Sequence, residues 1–266
     1  MNCYRFARCW TVNNNKESDN NQTTKQSNRL KPKYDFKAGA LLLVDKPKTW
    51  TSFDVVNKIR YKLKHTLGVK KIKVGHSGTL DPLATGLLII CTGKFTKKLN
   101  ELQGLPKTYT GTIKLGATTA SYDAEEKEDK TFPTDNITPE LIESTRQQFE
   151  GYIEQVPPMF SAIKVDGQPL YKKARKGEMV EVKPRTVEIS DFKIMKIDMP
   201  FVDFEVSCSK GTYIRSLAYD FGKAMNNGGY LTELRRTQVG DYYIEEAWDL
   251  EALLTHIEEN YEKINI

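Results

Sequence analysis

The sequence predicts an α+β domain: a mixed, mainly antiparallel sheet with flanking helices. Three observations support this. Several strand-like runs are present, and the helix-like runs between them lack a strict βαβ rhythm. The chain of 266 residues is 39% hydrophobic, low but enough for a core. Aromatics make up 10%, more than a disordered chain usually carries.

Residues 13–28, NNNKESDNNQTTKQSN, contain no large apolar side chain, so residues 1–37 read as a basic, Asn-rich leader unable to bury enough surface to fold. Order begins near Ala40, where LLLVDK reads as a strand and PKTW as a turn. Thr51-x-x-Asp54 opens a helix with Thr51 or Ser52 as N-cap; Val55, Val56, Ile59 and Leu63 share one face, and Gly68 stops it. KIKVG is a short strand, HSGTLDPLAT a loop and GLLIICTG a buried strand. Residues 95–103 are helical, and YTGTIKLG alternates as a strand does. After the irregular acidic stretch SYDAEEKEDKTFPTDN comes a helix from about Pro139 to Phe149. SAIKVDGQPL forms a hairpin around Asp166-Gly167, and LYKKARKG is a short basic helix. Strands follow near 185–195 and 201–209. GTYIRSLAYDFGKAM is a helix with Ile214, Leu217, Ala218 and Phe221 on one side, and YLTELRRTQVGDY is strand or loop. Residues 246–263 form an acidic helix.

The net charge of +5 is a sum of unlike pieces. Residues 1–37 hold eight basic and three acidic residues, a surplus equal to that of the whole chain. Residues 38–240 carry a surplus of seven positive charges, and residues 241–266 cancel it with eight acids against one lysine. Cys91 and Cys208 sit in apolar runs and read as buried free thiols of a reducing compartment. No apolar stretch approaches the roughly 20 residues that span a bilayer. The opening MNCYRFARCWTV lacks a secretory signal's apolar segment, although its basic character also suits an organelle transit peptide. The expected location is the cytoplasm.

Chemistry concentrates in residues 75–86, GHSGTLDPLATG. Asp81 sits at the centre of this loop, followed by Pro82, which biases it toward extended backbone, with His76 five residues earlier. On its residues alone, the loop reads first as a tight turn whose carboxylate binds backbone amides. A loop pinned between two strands is also where catalytic side chains are often presented. Gly86 and Gly93 are six residues apart rather than four, and Phe95 follows Lys94, which excludes a phosphate loop. No G-x-S-x-G elbow supports a serine hydrolase. No CxxC or Cys/His cluster suggests a structural zinc site.

GHSGTLDPLATGLLIICTGKFTK resembles the motif around the nucleophilic aspartate of the TruB family of pseudouridine synthases. KTYTGTIKLG, PPMFSAIKVDGQPLYKKARKG, VSCSKGTYIRSLAYDFG and YLTELRRTQVGDY are similar to the family's later motifs, in the same order, over about residues 40–245. The resemblance implies a pseudouridine synthase fold with an RNA-clasping insertion at about 124–182. It implies isomerisation of uridine 55 in the T-arm of tRNA with no metal or cofactor needed; no obligatory protein partner is expected, and the chain is read as a monomer.

On this resemblance Asp81 is the catalytic aspartate, which attacks C1′ or takes a proton from C2′; the sequence leaves both routes open. Arg215 is its basic partner. Tyr109 stacks on the target base, Tyr213 is a second pocket aromatic and Leu234 an apolar wall. His76 fills the gap left when the uridine leaves the stack. Lys172, Lys173, Arg175, Lys176, Arg235 and Arg236 are expected to contact RNA. ATTASYD departs from the family's Thr-Asp-Thr-x-x-Asp pattern and keeps only Asp123. Many members end in a PUA RNA-binding domain, for which no room remains after the acidic helix. A guide-RNA-dependent rRNA synthase, an RNA chaperone and a catalytically inactive RNA-binding module are the rival readings.

Overall fold

The computed structural model describes residues 33–262, except positions 162, 166, 175 and 179. Most of the expected leader and Arg175 therefore lie outside the described residues. Phe36 falls inside the leader's expected bounds, yet it is only 1% exposed and packs with Leu42, Val44 and Ile257. The body thus starts before residue 38.

Strand β1 (Leu41–Lys46) alternates half-buried and buried positions. It leads to α1 (Ser52–Thr66), which a capping box opens: the Thr51 side chain accepts from the Asp54 amide and the Asp54 carboxylate accepts from the Thr51 amide. Gly68, at φ 59°, ends the helix as expected. Short β2 (Val74–His76) and long β3 (Thr85–Thr92) bracket the Asp81 loop. β3 is buried along almost its whole length because it is covered on both faces. Leu88 and Ile90 meet α1 residues on one side, while Leu87, Ile89 and Cys91 meet Leu102 and Val239 on the other.

A 3₁₀ turn and α2 (Leu99–Gly104) lead into β4 (Lys107–Leu115). The hairpin β5 (Ala117–Thr119) and β6 (Glu128–Thr131) precedes α3 (Pro139–Gln147) and β7 (Gly151–Gln155). A two-stranded turn, β8 (Lys164–Val165) and β9 (Gln168–Pro169), and α4 (Leu170–Ala174) follow. The remainder is β10 (Arg185–Asp198), β11 (Phe201–Cys208), α5 (Ile214–Ala224), β12 (Gly229–Val239), β13 (Tyr242–Tyr243), β14 (Trp248–Asp249) and α6 (Leu250–Glu262). The undecided segment 230–242 is therefore mainly strand.

The main sheet runs β14-β1-β3-β12-β4-β11-β10-β7, with β2 on β3 and β13 on β12. Among the described strands of this sheet only β1/β14 and β12/β3 pair in parallel, so the sheet is mixed and mainly antiparallel. The expected insertion is narrower than 124–182: β7 extends the sheet beside β10, and Ile142 of α3 is fully buried in the core. Ile214, Leu217, Ala218 and Phe221 of α5 pack on the sheet with Phe192 and Phe204. Leu253, Leu254 and Ile257 of α6 share a core with α1. Replacing Phe36 by Ala is expected to lower the unfolding free energy by about 3–5 kcal/mol. Chemical denaturation measures this, and a loss below about 1 kcal/mol would return the residue to the leader.

Candidate active site

Ser52, freed from capping by Thr51, holds the Asp81 loop. Its hydroxyl donates to the Leu80 carbonyl at 3.1 Å and accepts from the Leu80 amide at 2.8 Å. The Ser77 amide donates to the Ile89 carbonyl, the Thr49 amide to the Pro82 carbonyl and the Ala84 amide to the Asp81 carbonyl. The Leu83 amide donates to the Glu125 carboxylate at 2.9 Å. Asp81 is thus fixed from both sides, with its side chain 39% exposed to the cavity.

Arg215 meets Asp81 from the first turn of α5. Its Nε lies 2.9 Å from Asp81 Oδ2, with the N–H not pointed at the oxygen, so the contact is a close charge pair. Nη1 lies 3.5 Å from Asp123 Oδ2 and donates to the Ser121 carbonyl at 3.2 Å, while Nη2 donates to the Phe160 carbonyl at 2.9 Å. A buried cation at a helix N-terminus is doubly unfavourable, and the two carboxylates and two carbonyls offset it. Asp123 is itself 1% exposed and accepts from the Ser121 hydroxyl and the Glu125 amide. Gln155 fixes the helix entry: its side chain accepts from the Tyr213 amide at 2.7 Å and donates to the Tyr213 carbonyl at 3.0 Å. Burial pushes the Asp81 carboxyl above its ordinary value, Arg215 pulls it down and Asp123 pushes it up.

Asp81, Tyr109, Tyr213, Arg215, Leu234 and Arg236 line one cavity of about 840 Å³. Five of these six are the catalytic and pocket residues expected from sequence. His76 stands at the end of β2, where Nδ1 accepts from the Gly78 amide at 3.3 Å and burial lowers its pKa; it is not among the residues that line the cavity. Arg185 stacks its guanidinium on the Tyr213 ring at 5.1 Å. Among the described residues, no group of three His, Cys, Asp or Glu side chains is placed to hold a metal.

The expected RNA contacts separate. Lys172 and Lys176 are exposed on and just after α4, with Lys173 half-buried beside them. Arg235 is engaged by Asp45 through Nη1 at 3.1 Å and Nη2 at 2.6 Å. Arg236 corrects the expectation: it is 2% exposed, and its guanidinium serves the Leu87 and Gly78 carbonyls rather than the surface. Facing positions on a strand alternate, so adjacent arginines on β12 cannot both point to solvent. Lys37, Lys71, Lys73, Lys94 and Lys97 line a second cleft, which among the described residues no carboxylate lines.

Two buried lysines escaped the sequence reading. Lys46 is fully buried at the end of β1 and donates to the Pro47 and Trp50 carbonyls, closing the turn before α1. Lys107 donates to the Gln103 and Leu105 carbonyls, closing the end of α2. Burial brings each down to about 8. The signal for both was a lysine at the edge of an apolar strand run. Cys91 and Cys208 are buried free thiols whose pKa burial raises, the latter to about 11.

Arg215→Met removes the group that pulls the Asp81 pKa down. Less of the carboxylate is then ionised at a given pH, so the acid limb of the rate profile moves to higher pH. The rate at neutral pH is expected to fall by about 100-fold or more. A pH–rate profile on the purified variant measures both, and an unmoved acid limb would contradict the pairing.

The family profile described as TruB family pseudouridylate synthase, N-terminal domain, matches residues 64–214. That described as the tRNA pseudouridylate synthase B C-terminal domain matches residues 215–264. The tRNA pseudouridine synthase B of Flavobacterium johnsoniae is 58% identical over 217 residues, 81% of this chain and 95% of that one. That of Phocaeicola vulgatus is 55% identical, covering 82% and 92%. Among solved structures, a Cbf5–Nop10–Gar1 complex has a chain that superposes with a TM-score of 0.64 at 27% identity, covering 87% of this chain; this chain spans 57% of that one. The cavity therefore carries its carboxylate, guanidinium and tyrosines in a chain that belongs to the TruB family of pseudouridylate synthases.

Proposed function

We propose that this protein isomerises uridine 55 in the T-arm of tRNA to pseudouridine. The observation that carries this reading is the Asp81–Arg215 charge pair at 2.9 Å in a cavity walled by Tyr109 and Tyr213. Relatives at 55–58% identity bearing the name tRNA pseudouridine synthase B support it.

The reaction breaks N1–C1′, turns the base and makes C5–C1′, so the atoms of the product are those of the substrate. The target base leaves its stack to expose the glycosidic bond, and the tyrosines and Leu234 supply an apolar, stacking surface. Asp81 acts as nucleophile at C1′ or as base at C2′. A carboxylate whose pKa burial has raised is more reactive when ionised, and Arg215 favours that ionised form and sets its direction. Lys172, Lys173 and Lys176 meet the RNA backbone beside the cavity, and the lysine-lined cleft offers a further run of positive charge. The protein works as a cytoplasmic monomer without a protein partner. Residues up to about 245 form the catalytic body, and α6 is the acidic helix that closes it.

The experiment also separates this reading from a guide-RNA-dependent synthase. Purified protein and unmodified tRNA transcript, with no guide RNA, are expected to give one pseudouridine at position 55 by mass-spectrometric mapping. Product only on addition of a guide RNA, or at another position, would overturn the reading. Replacing Lys172 and Lys176 together by Ala is expected to lower the slope of log affinity against log salt by about 1–2. Filter binding across a salt series measures it, and an unchanged slope would place the RNA elsewhere.

A further inference from the structure

Arg236 is a buried cation with no carboxylate partner among the described residues. Such a group is costly to desolvate unless its hydrogen bonds are well used. Its backbone lies between the two strands that frame the site: on β12 it pairs with Gly86 of β3 on one side and with Tyr109 of β4 on the other. Gly86 has φ 103°, and a side chain there would begin 2.3 Å from the Arg236 carbonyl, so only glycine permits this approach.

The guanidinium then reaches across. Nε donates to the Leu87 carbonyl at 2.7 Å, and Nη2 donates to the Gly78 carbonyl at 3.2 Å, three residues before Asp81. Tyr109 is its cross-strand neighbour on β4, and the two residues line the same cavity. Burial raises the pKa of the Tyr109 phenol, while the nearby Arg236 charge lowers it. One planar group therefore ties the Asp81 loop to strand β3 beside the aromatic that walls the cavity. Lysine cannot reproduce this fork, because its donors radiate from a single nitrogen.

We infer that Arg236 is a positioning residue of the reaction: it sets the Tyr109 hydroxyl and the Asp81 loop in register with each other, and it does not hold RNA. This rests on the reading of the site as that of a uridine isomerase. Only 2% exposed, Arg236 is placed to act through Tyr109 and Gly78 rather than on the RNA itself.

The test is Arg236→Lys assayed on unmodified tRNA, beside wild type, Tyr109→Phe and the double variant. Arg236→Lys is expected to lower kcat by at least 10-fold, with tRNA affinity within 2-fold of wild type and the salt dependence of binding unchanged. In the Tyr109→Phe background the same substitution is expected to cost less than 3-fold. Arg236→Ala keeps the question open to experiment if the lysine variant folds poorly. Its activity is expected to rise on adding methylguanidinium and not on adding methylammonium at equal ionic strength. A loss of tRNA affinity of 10-fold or more with kcat unchanged, a salt slope smaller by about 1, or fully additive losses in the double variant would each overturn the inference. Equal rescue by methylammonium would overturn it too. An inactive wild type would instead defeat the functional reading itself.

Discussion

The site depends on one buried guanidinium. Arg215 sits at the start of a helix, where the backbone already presents positive charge, and it is almost fully enclosed. Asp81 and Asp123 on two sides and the Ser121 and Phe160 carbonyls on the others make that placement tolerable. These four groups come from three different segments. Asp81 comes from the loop before β3, Ser121 and Asp123 from the turn after β5, and Phe160 from the stretch after β7. The cation therefore gathers three loops that the sheet alone leaves independent. Removing either carboxylate would leave buried positive charge undercompensated.

The sheet makes this convergence possible. β12 runs between β3 and β4, so the loop bearing Asp81 and the strand bearing Tyr109 are held by the same element. Ser52 fixes the loop from α1 and Gln155 fixes the entry of α5. Catalytic geometry of this kind is set by rigid neighbours rather than by the loop's own preference.

Much of the fold was legible as local pattern. Thr51-x-x-Asp54 announced a helix start, which the structure builds as a capping box on Thr51; GLLIICTG announced a buried strand, and Gly68 ended α1. At the site, Asp81 was visible as the carboxylate of a conformationally specified loop, but its partnership with Arg215 was not. Those residues are 134 positions apart, and only the likeness to a known family joined them. Charge misled where orientation was undecided. Arg235 and Arg236 read as one surface cluster while their segment was strand or loop; as a strand, it turns one outward to Asp45 and the other inward. Lys46 and Lys107 were passed over for the related reason that a lysine at the edge of a strand is ordinarily solvated, and burial here depends on carbonyls presented by a turn and a helix end. Phe36 lay beyond a polar stretch that dominated the reading of its surroundings.

The central claim is that Asp81, oriented by Arg215, breaks the glycosidic bond of a bound uridine. Single-turnover formation of pseudouridine by Asp81→Asn, with tRNA fully bound, tests it most directly. Asparagine keeps the shape of the side chain and removes its charge and basicity. The account predicts tRNA affinity within a few-fold of wild type and no detectable product over many wild-type turnover times. A single-turnover rate within about 10-fold of wild type, a barrier change of only about 1.4 kcal/mol, would contradict it.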